Sequence, residues 1–442
     1  MKRILSIPGF IVYLLLLAIV SCSVGKKVLI IEQDISLFIQ TGSPMSVETA
    51  LDNDLLKAAE QGRLAIFDPS GNDENKKLIP AQLEKPEAGA NVKVVAMAPG
   101  GPSGHQKFKL TASEAPFKTI MKISQDPGTG QVLIEEDGKR VLQYNYQTVY
   151  DSTVLRLPSE AAAVHTQTGN ATVQEAPSIY AVPRSDYIHP LYGLEGEMLT
   201  RDWPDNIHPH HRGIFWAWPE VEIGTSRKGD IYALQQIFAR PTGKIQLTSG
   251  TVFAQVDAEN VWMWKDKDAI VREKVVIRVY PAKANIRIID LSIKLDALAD
   301  SITIATRETN KYGGLNLRMM TPQNQLISYF TDKPGSAPLR AWSDFNGIFE
   351  GNPASSGLMV VQHNANPEYP GAWVEYQNLA WVQPTFPAPD TRFPLLIGKP
   401  LVLHFRLIVH AGVQPDENFS KMIWDAYNHT LTPLYQFSNP AK

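Results

Sequence analysis

The runs Ile270-Val-Arg-Glu-Lys-Val-Val-Ile-Arg-Val-Tyr280 and Ala284-Asn-Ile-Arg-Ile-Ile-Asp-Leu-Ser-Ile-Lys-Leu295 decide the fold class. Both are long, rich in β-branched residues and partly alternating, which is the pattern of strands laid against a core. Val261-Trp-Met-Trp264 precedes them and Ile302-Thr-Ile-Ala305 follows. Farther along come Gly357-Leu-Met-Val-Val-Gln362 and Pro400-Leu-Val-Leu-His-Phe-Arg-Leu-Ile-Val-His410. Upstream, Gln131 to Tyr146 reads as a hairpin with Asp137-Gly138 at its turn. The 32 prolines and 29 glycines are spread among many short apolar runs, which favours β over α. The expected fold is all-β, a large antiparallel β-sandwich.

At 442 residues the chain should hold two or three domains, or one large β domain with an accessory one. A hydrophobic content of 44% gives it a real core. The net charge of −3 gives no reason to expect nucleic acid as a partner. Residues 1–22 read as a lipoprotein signal peptide: Met1-Lys2-Arg3 is basic, Phe10 to Val20 is apolar and too short for a comfortable span, and Ile19-Val20-Ser21-Cys22 resembles a lipobox. Cys22 is the only cysteine, as a lipidation site requires, so no intrachain disulfide forms. The expected location is the bacterial cell envelope, held to the membrane by an N-terminal lipid anchor. Residues 27–118 read as a small accessory β-sandwich whose best helical stretch is Ser46 to Gln61. Residues 119–415 read as the main sandwich, and 416–442 as a C-terminal helix and tail.

The chemistry concentrates in Asp205-Asn-Ile-His-Pro-His-His-Arg-Gly-Ile-Phe-Trp-Ala-Trp218. Three of the ten histidines fall within four residues, beside Arg212 and Gly213. Packing alone asks for no such set. Imidazoles beside a guanidinium suit proton transfer, metal ligation or anion binding. If the stretch is extended, His208 and His210 share a face and His211 takes the other. A second cluster, Arg307 to Arg318, supplies Glu308, Lys311 and Arg318 around glycines 313 and 314; a solvated turn is the plain alternative. A third, Val361 to Trp373, presents His363, Asn364, Asn366 and Trp373 on a proline-stiffened loop. Such loops suit sugars, with aromatics stacking on apolar sugar faces and amides bonding hydroxyls. Trp203, Trp216, Trp218, Trp373 and Trp381 are candidate platforms, and a buried core position is the plain reading of each.

His189-Pro-Leu-Tyr-Gly193, His208-Pro-His-His-Arg-Gly213, Lys311-Tyr-Gly-Gly-Leu-Asn-Leu-Arg318, His363-Asn-Ala-Asn-Pro367 with Trp373, and His404 to Gly412 together resemble the PmoA-like bacterial family, annotated "methane oxygenase PmoA". The resemblance runs from about Ile123 to about Gly412, and its central motif is the specific one. It implies a β-sandwich related to the galactose-mutarotase-like supersandwich. His189 and Tyr192 of the first motif are candidate substrate-binding residues. Exported lipoproteins of this kind are commonly linked to glycan use. A methane-oxidising membrane subunit would need several spanning helices, and this chain has one short signal-type segment. The family often carries Lys-Glu-Gly where Lys311-Tyr312-Gly313 stands, so no acid is available at 312. His-Asp-Gly is usual where His410-Ala411-Gly412 stands.

Three functions follow from these residues. The first is a carbohydrate-active lyase, hydrolase or epimerase. In it His208 or His210, with His211 beside them, is the general acid or base, Arg212 and Arg318 hold a carboxylate or oxyanion, and Glu308 is the partner carboxylate. The second is a divalent metal protein, with copper or zinc on His208 and His210 and a third imidazole from His363 or His189. The third is a glycan-binding lipoprotein without catalysis, using the same residues with Trp216 and Lys311 as contacts. Each requires the three clusters to converge on one cavity.

Overall fold

A computed structural model describes residues 27–68, 77–84, 92–99, 104–149, 182–203, 208–330, 340–429 and 434–437. The signal segment and Cys22 lie outside them. Among the described residues no helix is long and apolar enough to cross a membrane.

The two deciding runs are neighbouring antiparallel strands, Asp268–Val279 and Ile286–Ala297, paired from Val271–Ala297 to Val279–Ile289. They sit in an eight-stranded antiparallel sheet that runs from Ile237–Thr248 at one edge to Gln323–Phe330 at the other. A second eight-stranded sheet faces it. Its strands are Trp373–Tyr376, Trp381–Pro384, Gly314–Arg318, Ile214–Ala217, Tyr187–Leu191, Lys139–Asn145, Gln131–Glu136 and Met121–Asp126, in that spatial order. We call these the long sheet and the site sheet. Val271, Val275, Ile277, Leu291 and Ile293 of the long sheet meet Ile214, Trp216, Leu315, Leu317 and Val382 of the site sheet in one buried core. Each such side chain contributes roughly 1.5–3 kcal/mol by leaving water. The protein is thus all-β, with large antiparallel sheets packed as a sandwich.

The strand Ile286–Ala297 alternates less strictly than a strand with one wet face because its N-terminal half is covered on both sides. Ile289, Leu291 and Ile293 enter the sandwich core. Ile286 and Ile288 enter a separate outer cluster with Trp342, Met359, Ile408 and Ile423. The cover is the N-terminal unit and the C-terminal helix. In the N-terminal unit, seven strands form a ladder that bends at Ile79–Glu84, whose first residues pair with Leu64–Phe67 and whose last pair with Val92–Met97. The helix expected from Ser46 is shorter. Pro44–Thr49 is a strand paired with Val92–Met97, and the helix is Asn53–Glu60, capped by the Asp52 carboxylate on the Leu55 N–H at 2.9 Å. Val47 and Thr49 are β-branched and wholly buried, so pairing outweighs helical propensity there.

The end of the chain is more than a tail. Helix Glu417–Tyr427 packs on helix Ser36–Thr41, and Leu434–Phe437 pairs with the first strand, Lys27–Asp34, to extend the N-terminal sheet. The N-terminal unit is fastened to the long sheet by Glu84 on Arg278 at 2.7 Å. The Gln82 side chain adds bonds of 3.1 Å to the backbone of Val252 and Phe253.

Candidate functional site

The site sheet has two unlike faces. Trp216 belongs to the core face and donates its indole N–H to Glu273 of the long sheet at 2.5 Å. Alternate residues take the outer face. The register places Phe215 opposite Asn316, Arg318 opposite Trp381, and Trp381 opposite Tyr376. Over this outer face lies the histidine loop. It is a turn, not an extended segment, closed by the His211 N–H on the His208 carbonyl at 3.0 Å. All three rings therefore gather on one side: His208 stacks on His211 at 4.9 Å, and His210 meets His211 edge-on at 4.6 Å. The expected separation of His211 onto the opposite face does not occur.

Tyr232 completes the cover. It descends from the loop after Asp230, whose carboxylate accepts the Ala233 N–H at 2.8 Å. Its ring lies 5.7 Å from His210, 5.1 Å from Phe215 and 5.0 Å from Tyr312. Trp381 touches His211 at 4.8 Å and stacks on Tyr376 at 4.9 Å. Arg307 pins this wall by pairing with Asp230 and donating to the Tyr312 hydroxyl. Arg184 lies over the Phe215 ring and donates to the carbonyls of His210 at 3.3 Å and Ile231 at 2.5 Å.

Burial holds the His210 and His211 imidazoles well below the usual histidine range, and the neighbouring histidines and Arg184 and Arg318 push in the same direction. Both rings are neutral at neutral pH. Burial, then the nearby Arg212, brings Arg184 down to about 10. Burial raises the Tyr232 phenol well above its ordinary value. Several buried polar atoms here have no protein hydrogen-bond partner: His211 Nδ1, Tyr232 Oη, Asn316 Oδ1 and both amide atoms of Gln383. Native interiors rarely leave such groups unanswered.

The other expected site residues divide clearly. Arg318 is on the outer face beside Trp381 and donates to the Leu379 carbonyl. Arg212 turns away. It is fully buried, bonds Asp202 through Nε and Nη2, meets the Tyr187 hydroxyl at 2.5 Å and lies 3.9 Å over the Trp203 ring. Nε and Nη2 are thus committed to Asp202 and Tyr187, while Nη1 has no protein partner; the fork that would clamp a ligand carboxylate is already on Asp202. His189 holds Thr200 through Nδ1 at 3.0 Å, and Tyr192 packs under Arg140. Trp216 is a core residue, as its bond to Glu273 shows. Glu308 and Lys311 are exposed and pair with each other at 2.7 Å. His363 packs on His404 and Tyr427 of the C-terminal helix, and Asn366 bonds the His404 backbone both ways. Asn364 bonds the Asn428 side chain through its backbone, and Trp373 donates to the Arg340 carbonyl. The asparagine loop therefore does not join the histidines: the expected convergence of three clusters does not occur, only the histidine loop and the Arg318 strand come together, and the His208–His210–His363 set for a metal is not assembled. Among the described residues no cluster of three or more His, Cys, Asp or Glu side chains is placed to hold a metal ion.

Sequence reasoning missed Arg184, Asp230, Tyr232, Asn316, Tyr376 and Gln383. Only Asn316 lay inside a quoted motif. Gly213 makes the loop possible. Its φ is +54°, and a Cβ there would lie 2.3 Å from the Ile188 carbonyl and 2.7 Å from the His189 Cβ. Left-handed strain alone costs ~1–2 kcal/mol, and a backbone carbonyl cannot rotate aside. Gly213→Ala should therefore lose about 2 kcal/mol or more in a denaturant melt. A wild-type midpoint would show that the loop is not held as described.

The chain matches a family of unknown function, DUF6807, over residues 131–423, and it belongs to that family. The match takes in the sandwich apart from its edge strand Met121–Asp126, and most of the C-terminal helix, and leaves out the N-terminal unit. No curated protein matches the chain.

Proposed function

We propose that the outer face of the site sheet is the glycan-processing site of an exported, lipid-anchored protein of the bacterial cell envelope. On this reading the chain is a carbohydrate-active lyase, hydrolase or epimerase in which a neutral imidazole moves a proton. The observation that carries it is the convergence of His208, His210 and His211 with Tyr232, Tyr312 and Trp381 on one sheet face. His210 is partly exposed and neutral, as a general base must be before it acts. A ligand carboxylate near Arg318 and Arg184 would offset the cations that hold the imidazoles low, and would raise their basicity on binding. Aromatic rings of this wall supply stacking faces for a sugar. The PmoA-like motif at His208–Gly213 then supplies both the imidazoles and the glycine that lets their loop approach the sheet.

One observation favours a second reading, glycan binding without catalysis. Imidazoles held this far below neutrality are weak bases unless the ligand raises them. One experiment separates the two. The purified mature protein is offered neutral and uronate polysaccharides, and both binding and products are recorded. Turnover of one of them is expected. His210→Ala should lower that turnover by roughly 10²–10⁴-fold, the usual worth of a positioned acid or base, without lowering the melting temperature. Binding with no product in the wild type selects the second reading. Full turnover in His210→Ala removes the first, and no binding removes both.

A further inference from the structure

The outer face carries a feature that the proton chemistry does not use. Asn316 and Gln383 oppose each other on neighbouring strands, between the Leu317–Val382 pair and the Gly314–Thr385 bridge. Both are wholly buried. Gln383 has no protein partner for its amide nitrogen or its carbonyl oxygen. Asn316 gives its nitrogen to the Gly314 carbonyl at 2.8 Å, and its own oxygen has no partner. Phe215, the other cross-strand neighbour of Asn316, lies under the Tyr232 ring, as does Trp381, two residues before Gln383. The Tyr232 hydroxyl also lacks a partner. Unanswered polar atoms of three buried side chains thus lie on this face of the sheet or on the ring that covers it. Each carries a desolvation cost that a folded protein rarely leaves standing, and they occur together beside the imidazoles.

We infer that Asn316, Gln383 and Tyr232 form a hydroxyl-reading subsite that seats the neutral edge of a sugar. The inference rests on the glycan reading above and names the chemistry by which the ligand is chosen. The patch offers one amide NH₂, two amide carbonyls and one phenol. A carboxylate only accepts, so it would face two carbonyl oxygens with nothing to give them. An ammonium only donates, and would leave the Gln383 N–H atoms unanswered. A hydroxyl both donates and accepts, and bonds the Gln383 amide whichever way that amide is turned. A carboxylate on the ligand therefore belongs at the Arg318 end of the face and its hydroxyls at the amide end. Removing one hydroxyl from a sugar so held leaves buried groups bare, and such sites discriminate strongly against the deoxy analogue. The partly exposed Tyr312 ring packs against both Tyr232 and Trp381.

The test uses the mature full-length protein, its Gln383→Met variant, and the methyl glycosides of glucose, galactose, mannose, xylose and glucuronic acid. Binding is read by saturation-transfer NMR and titration, and stability by thermal melting. The wild type should bind at least one neutral glycoside, and Gln383→Met should weaken that binding by at least tenfold. The variant should melt no lower than the wild type, because the amide it loses has no protein hydrogen-bond partner. A lower melting temperature would give Gln383 a structural partner and overturn the inference, whatever the binding. Unchanged affinity in a stable variant would overturn it and leave the glycan reading intact, as would a wild type that binds only the glucuronide. A wild type that binds none of the five sugars and no polysaccharide removes the inference and the glycan reading together.

Discussion

Arg212→Ala is expected to lose stability by about 3–5 kcal/mol, the range for breaking a buried ion pair from one side. The guanidinium holds the Asp202 carboxylate with two donors, the Tyr187 hydroxyl with a third contact, and the Trp203 ring from above. Truncation leaves Asp202 without its counter-charge, and the Tyr187 phenol without its cation. It also opens a void the size of a fully buried arginine side chain. Arg212→Lys should recover little, because a point ammonium cannot reproduce the fork on Asp202 or the planar contact with Trp203. Urea unfolding at neutral pH measures this as a drop in midpoint at unchanged slope. A variant with the wild-type midpoint but no sugar binding would return Arg212 to the ligand and overturn its structural role.

That arginine shows how far the sequence could be read. The motif around it was legible because three imidazoles and a guanidinium in five residues exceed any packing need. Its direction was not. A guanidinium satisfies a protein carboxylate as readily as a ligand's, and Asp202 lies ten residues earlier, across a loop whose course the sequence does not fix. The same limit separates Phe215 from Trp216. Period-two alternation places them on opposite faces, but both are aromatic, so composition cannot say which one meets the core. Glu273 settles it, by accepting from Trp216 across the sandwich. Tyr232 sits in Ile231-Tyr-Ala-Leu234, which reads as plain core, and only the fold brings it over the imidazoles. Of the long-sheet strands, Asp268–Val279, Ile286–Ala297, Ser356–Gln362 and Leu401–Ala411 were legible because they are long or dense in β-branched and apolar residues; Ala254–Trp264 was read only at its end, and the strands Ile237–Thr248, Gln323–Phe330 and Trp342–Ile348, more polar or broken by proline and glycine, were not read. The Asn364–Asn366 loop misled because it shares composition with sugar-binding loops, while its amides close on the His404 backbone and the C-terminal helix. The C-terminal strand was invisible because four residues carry no periodicity and their partner opens the chain.

Glu273 carries the second large effect, and it depends on pH. Its two oxygens accept the indole N–H groups of Trp216 and Trp262 at 2.5 and 2.6 Å, and it hydrogen-bonds Asp186, which also accepts the Tyr144 hydroxyl at 2.7 Å. All of this lies inside the sandwich. Burial pushes the Glu273 carboxyl well above its ordinary value of 4.5, and the adjacent Asp186 charge pushes it further; burial also raises Asp186. The pair therefore keeps one shared proton at a pH where the unfolded chain has released both. A carboxyl raised on folding stabilises fully below its unfolded pKa, and that stability is lost as pH rises toward the folded pKa. Over that window wild-type stability should fall by up to about 1.4 kcal/mol per pH unit from this one proton. Glu273→Gln keeps the shape but cannot titrate, and its NH₂ group confronts one indole N–H. At pH 5 it should be less stable than the wild type by about 1–3 kcal/mol, the cost of a buried donor left unanswered. Between pH 5 and 8 that deficit should shrink, because the wild type is losing its proton-linked stability there while the variant has no second carboxyl to share a proton with Asp186. Glu273→Ala should lose more at every pH, about 3–5 kcal/mol, because both indoles lose their acceptor and a void opens between the sheets. Urea midpoints of the three proteins at pH 5, 6.5 and 8 measure the gap. A deficit for Glu273→Gln that stays constant across that range means Glu273 is ionised in the folded protein, and the shared proton does not exist.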